Sequence, residues 1–78
     1  MDQSGETQPR IVTVRAVPIE LSQLLKFAGL AESGGAAKQA IAEGAVRLNG
    51  AVERQKGKKI LAGDRVEFAG QTIAVQVG

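Results

Sequence analysis

The sequence has no cysteine, histidine, tryptophan or tyrosine, and its only aromatic rings are two phenylalanines. Without cysteine there is neither a disulfide nor a thiolate nucleophile. Without cysteine and histidine together, the usual zinc ligand sets and imidazole acid–base catalysis are excluded. Phe27 and Phe68 are too few to build an aromatic platform on which successive bases stack. No apolar run approaches the ~20 residues of a membrane helix, and no charged leader precedes an apolar stretch, so a cytoplasmic location and no membrane partner are expected. Glu20, Glu32, Glu43, Glu53, Asp64 and Glu67 are dispersed, and none is close in sequence to a polar nucleophile. That pattern predicts a non-catalytic chain that needs neither a cofactor nor a metal.

What is present is aliphatic. Hydrophobic residues make up 44% of the 78 residues, enough for the core of one domain. A chain of this length buries only about 60–65% of its unfolded surface, too little for an elaborate enzyme cleft. Residues 1–8 are polar and aperiodic and read as a disordered tail, leaving 9–78 as a single domain, expected to be monomeric. Net charge is only +2, but it is unevenly spread: between residues 47 and 59, Arg47, Arg54, Lys56, Lys58 and Lys59 face Glu53 alone. That segment carries +4, and the rest of the chain carries −2.

The pattern of elements is legible from caps and periodicity. Ile11, Val12, Thr13 and Val14 lie in a strand expected over 10–17, between Pro9 and Pro18. Leu21, Leu24, Leu25 and Ala28 recur at helical spacing before Gly29, predicting a helix over 21–28. Ser33 is a good N-cap and Gly44 a good stop, predicting a second helix near 34–43 whose small stripe Ala37, Ala40 and Gly44, with Ile41, faces the first. Asn49-Gly50 fits a two-residue type I′ hairpin between Val46–Leu48 and Ala51–Val52. That register places Val52 on the same face as the charge of Arg47. Val66 and Phe68 alternate with Arg65 and Glu67 after a Gly63-Asp64 turn. Ala69-Gly70-Gln71 turns the chain again, and Ile73, Val75 and Val77 alternate in a last strand, expected to pair antiparallel with 65–68 and with the N-terminal strand.

A capped helix, then Gly44-x-Val46-x-Leu48-Asn49-Gly50, then a basic stretch and Gly63-Asp64-x-Val66, resembles the RNA-binding domain named after ribosomal small-subunit protein S4. The match runs over about 19–68 and begins with Ile19-x-Leu21-x-x-Leu24-Leu25-Lys26 and Gly29-Leu30-Ala31-x-Ser33. Gly34-Gly35-x-Ala37-Lys38 and the run from Glu53 to Lys59 are similar to a small stand-alone bacterial YbcJ-like type of that domain. The resemblance implies an α+β fold of the αL type: two packed short helices followed by a small, mostly antiparallel sheet, with an N-terminal strand added. It also implies RNA as partner. Many family members carry arginine directly after the serine; Gly34 stands there in this chain, so no contact of that arginine is carried over.

Within that frame the candidate RNA-binding residues are Ser33, Gly34, Gly35, Lys38, Arg47, Asn49, Arg54, Lys56, Lys58 and Lys59. Glycines in a first helical turn each cost roughly 1 kcal/mol against alanine, so the pair needs a reason. One reason is close approach of a phosphate to bare amides at a helix start, with Lys38 one turn on; the other is a tight helix–helix joint. Asn49 is already accounted for by the turn. With phosphate and shape contacts predominating, a structured ribosomal, transfer or regulatory RNA is the expected ligand. The alternative is a protein-interaction module whose basic loop binds an acidic partner.

Overall fold

The computed structural model describes residues 9–78, so the expected tail over 1–8 lies outside the described residues. The chain forms β1 (Arg10–Val14), β2 (Ile19–Glu20), α1 (Leu21–Phe27), α2 (Gly34–Ala42), β3 (Arg47–Leu48), β4 (Ala51–Val52), β5 (Lys59–Ile60), β6 (Arg65–Phe68) and β7 (Gln71–Val77). Five strands make one sheet in the order β1-β7-β6-β3-β4, and β2 pairs with β5 separately.

Both helices form where periodicity and caps place them. Leu21, Leu24 and Leu25 are fully buried and meet Ala37 and Ile41 of α2 in a single core, with Val12, Val14, Ala28, Val46, Ile60, Val66, Ile73 and Val75 supplying the rest. Ala40 is half-buried against the same core. The Ser33 hydroxyl oxygen accepts from the Ala36 amide at 3.1 Å, the expected N-cap, and Gly44 at φ +79° ends α2. No side chain caps α1, whose N-cap position is Glu20. Instead the Leu21 amide donates to the Lys58 carbonyl at 2.9 Å and the Ser22 amide to the Lys56 carbonyl at 3.3 Å. Two of the amides a helix start leaves unpaired are thus satisfied by a loop more than thirty residues away. At the other end of α1 the Arg10 guanidinium donates to the Ala28 carbonyl, a cation at a helix C-terminus.

The Asn49-Gly50 hairpin has the expected register, Leu48 opposite Ala51 and Arg47 opposite Val52, with both turn residues at positive φ. Val52 is 47% exposed, so its shared face with Arg47 is the solvent face and Leu48 takes the inward side. β6 pairs antiparallel with β7. The N-terminal strand departs from expectation: β1 lies parallel to β7, with Val12 opposite Val75, and it ends at Val14 rather than continuing to Val17. Alternation fixes which residues face inward and is silent on strand direction. Direction is set here by the path of the chain, which leaves β1 to build the helices on one face of the sheet before returning through β6 to β7.

Candidate nucleic-acid interface

The ten candidate residues fall into separate groups. Ser33, Gly34 and Gly35 begin α2, and Lys38 is exposed one turn further on. At the other end of this nine-residue helix, roughly 13 Å away at 1.5 Å per residue, the guanidinium of Arg54 lies over Gly44. Its Nη2 stands 2.6 Å from where a β-carbon on Gly44 would be. A guanidinium seated there sits beside the negative end of the α2 dipole.

Lys56 and Lys58 hand their carbonyls to the start of α1, which fixes the loop backbone while the Lys56 side chain remains exposed and Lys58 is half-buried. Lys59 continues into β5 opposite Glu20, and their side chains meet at 3.4 Å in the only ion pair among the described residues. Both partners are substantially exposed, so this pair contributes little to stability.

The glycine pair can be tested sterically. A β-carbon on Gly34 would meet no described atom within 4 Å, and one on Gly35 only the Ser33 hydroxyl oxygen at 3.9 Å. A tight helix–helix joint therefore does not account for them: alanine fits at either position, and the small-residue contact with α1 is made further along by Ala37.

Asn49 is committed to the fold. Its Oδ1 accepts from the Arg65 amide at 2.9 Å, its Nδ2 donates to Asp64 Oδ1 at 3.2 Å, and the other Asp64 oxygen accepts from the Leu61 amide at 2.8 Å. The side chain that makes the hairpin thus also ties it to the Gly63-Asp64 turn.

Arg47 projects from the outer face of the sheet, between Val52 on β4 and Glu67 on β6. Beside it opens a pocket of about 330 Å³ walled by Ala45, Arg47, Glu67, Thr72 and the turn over 68–71. In the sequence Glu67 is one of several scattered carboxylates. The signal that could have drawn attention to it is the strand alternation, which sends Arg65 and Glu67 to the face of Arg47. Ala69 is the second unusual feature here: at φ +55° it occupies a left-handed position that glycine or asparagine usually fills.

Compared with known proteins, residues 12–76 match the model of the S4 domain family. The YbcJ protein of Escherichia coli strain K12 is 54% identical over 57 residues, which cover 73% of this chain and 81% of that protein. RlbA of Bacillus subtilis strain 168, named "Probable ribosome maturation protein", is 36% identical over 59 residues, covering 76% of this chain and 83% of RlbA. A tyrosine–tRNA ligase of Burkholderia lata is 40% identical over 60 residues, only 14% of that enzyme's length. The solution structure of E. coli YbcJ, described as revealing an αL motif involved in RNA binding, superposes with a TM-score of 0.70 at 43% identity, covering 97% of this chain and 96% of that one.

Proposed function

The chain belongs to the S4 domain family, and from that premise we propose that it is a non-catalytic RNA-binding module that recognises folded RNA through phosphate and shape contacts. The similarity to a YbcJ structure whose αL motif is described as involved in RNA binding supports the class of partner. The observation that carries the mode of binding is the geometry of α2 and the basic loop. The helix begins with two glycines that no described neighbour requires, and ends under the guanidinium of Arg54. The Lys56 and Lys58 backbone is pinned to α1, which holds this basic segment in place before a ligand arrives.

Bare amides at a helix start favour an anion, and a glycine lets a phosphate oxygen come closer than a side chain would. Ser33 caps the same turn, and Lys38 supplies charge one turn on. Arg47, Arg54, Lys56, Lys58 and Lys59 then neutralise further phosphates. The similarity to a segment of a tyrosine–tRNA ligase fits a module that can be appended to an enzyme without carrying its chemistry; a ribosomal, transfer or regulatory RNA fits this mode of binding.

The test is a titration of one structured RNA, an rRNA hairpin or a tRNA, at several salt concentrations. With about four phosphate contacts, log K against log[salt] falls with a slope of roughly −3 to −4, by the duplex proportionality. A flat response would sink the RNA reading and favour an acidic protein partner for the basic loop.

A further inference from the structure

Phosphate contacts position an RNA but do not identify its sequence, and the aromatic content leaves no stacking platform to do so. The pocket beside Arg47 holds the complementary chemistry. Val52, Arg47, Glu67 and Thr72 form one row across β4, β3, β6 and β7 on the outer face of the sheet, roughly 14 Å wide at ~4.8 Å per strand. Arg47 and Glu67 stand directly opposite each other, yet among the described residues they make no ion pair within 4 Å. The arginine donors and the carboxylate acceptors both remain available to a third party. The depression they wall, at about 330 Å³, is open to solvent and roomy enough for one base. It also adjoins the basic surface, because its wall residue Ala45 follows Gly44, on which Arg54 lies.

We propose that this pocket receives one unstacked guanine of the bound RNA, with Glu67 accepting from its Watson–Crick edge and Arg47 holding the phosphate of the same nucleotide. A carboxylate presents two acceptors and no donor. Guanine alone offers two adjacent donors, N1–H and the N2 amino group. Adenine and cytosine each place a lone pair beside their amino group, and uracil flanks its N3–H with two carbonyls, so each repels one carboxylate oxygen. Single-stranded loops are where RNA bases are splayed out and read on these edges. Thr72 adds a hydroxyl that serves as donor or acceptor to the sugar. This assignment rests on the RNA-binding reading above.

The experiment uses the full chain and four labelled hairpin RNAs of one stem, with a five-nucleotide loop U-U-X-U-U in which X is guanosine, inosine, adenosine or cytidine. Fluorescence anisotropy should give guanosine a preference over adenosine of roughly 5- to 150-fold, the span of one good bidentate base contact. Inosine, which lacks the N2 amino group, falls between them. Glu67→Gln replaces one acceptor by a donor at an exposed position and should bring the guanosine-to-adenosine ratio close to one. A ratio near one in the wild type, with affinities that still fall steeply with salt, overturns the guanine pocket and leaves the RNA reading standing. An undiminished ratio in Glu67→Gln overturns Glu67 as the reader. No binding of any probe, or binding insensitive to salt, overturns both.

Discussion

The guanidinium of Arg54 covers Gly44, ten residues earlier in the chain, so closely that a β-carbon there would stand 2.6 Å from its Nη2. Glycine is needed at this position for its φ of +79°, and its missing side chain leaves the space in which the guanidinium lies. Gly44→Ala should cost about 1–2 kcal/mol from the left-handed backbone alone. For a domain of this size that lowers Tm by about 4–8 °C per kcal/mol. The displaced guanidinium is exposed and flexible, so its movement adds little to the stability loss but should weaken RNA binding. Arg54→Ala should show the second effect without the first, and thermal melts alongside RNA titrations separate them.

The glycines at the start of α2 should behave in the opposite way. Because a β-carbon on Gly34 or Gly35 meets nothing closer than 3.9 Å, alanine at each position should stabilise the protein by about 0.4–1 kcal/mol. The double variant Gly34→Ala, Gly35→Ala should therefore melt higher while binding RNA more weakly. A higher Tm with unchanged affinity would remove the helix start from the interface.

Replacing Lys58 and Lys59 together by alanine should reduce the salt slope by up to about 2 and weaken all structured RNAs nearly equally. The fold should hardly notice, since the Leu21 amide still donates to the carbonyl at position 58 and the Lys59–Glu20 pair is exposed. Equal slopes for wild type and variant would exclude this pair from the surface that meets RNA.

Asp64→Ala should act on stability alone. It removes the acceptor of the Leu61 amide and the partner of Asn49, an expected loss of about 1–3 kcal/mol by chemical denaturation. RNA affinity of the fraction that remains folded should not fall.

The turn at the pocket rim offers the last check on backbone conformation. Ala69→Asn puts a residue tolerant of positive φ at +55° and should raise stability by up to about 1 kcal/mol. An unchanged or lowered Tm would show that the alanine conformation carries no penalty in this hairpin.

Much of this arrangement is written locally. Ser33 and Gly44 mark the ends of α2 to within a residue or two, the leucine spacing marks the buried face of α1, and Asn49-Gly50 sets a register that holds residue by residue. The family resemblance adds the order in which these parts assemble. What escapes the sequence is tertiary. The parallel direction of β1 follows from the route of the chain, which alternation does not encode. The seat of Arg54 on Gly44 depends on a hairpin folding back along α2. The pairing of Glu67 with Arg47 joins residues twenty apart. The glycine pair shows the limit most clearly, because propensity says that two glycines are costly there, and only the empty space around their absent side chains decides against a packing role.

The capping of α1 by the basic loop has a consequence for how ligand binding can be followed. The Leu21 and Ser22 amides exchange with solvent only when their bonds to the Lys58 and Lys56 carbonyls open. Any ligand that grips the lysines of this loop holds those carbonyls in place and suppresses the opening in proportion to occupancy. Deuterium uptake at two adjacent amides, buried beneath the surface that carries the charge, thus becomes an internal gauge of whether that surface is filled, with no dye or tag attached to either molecule.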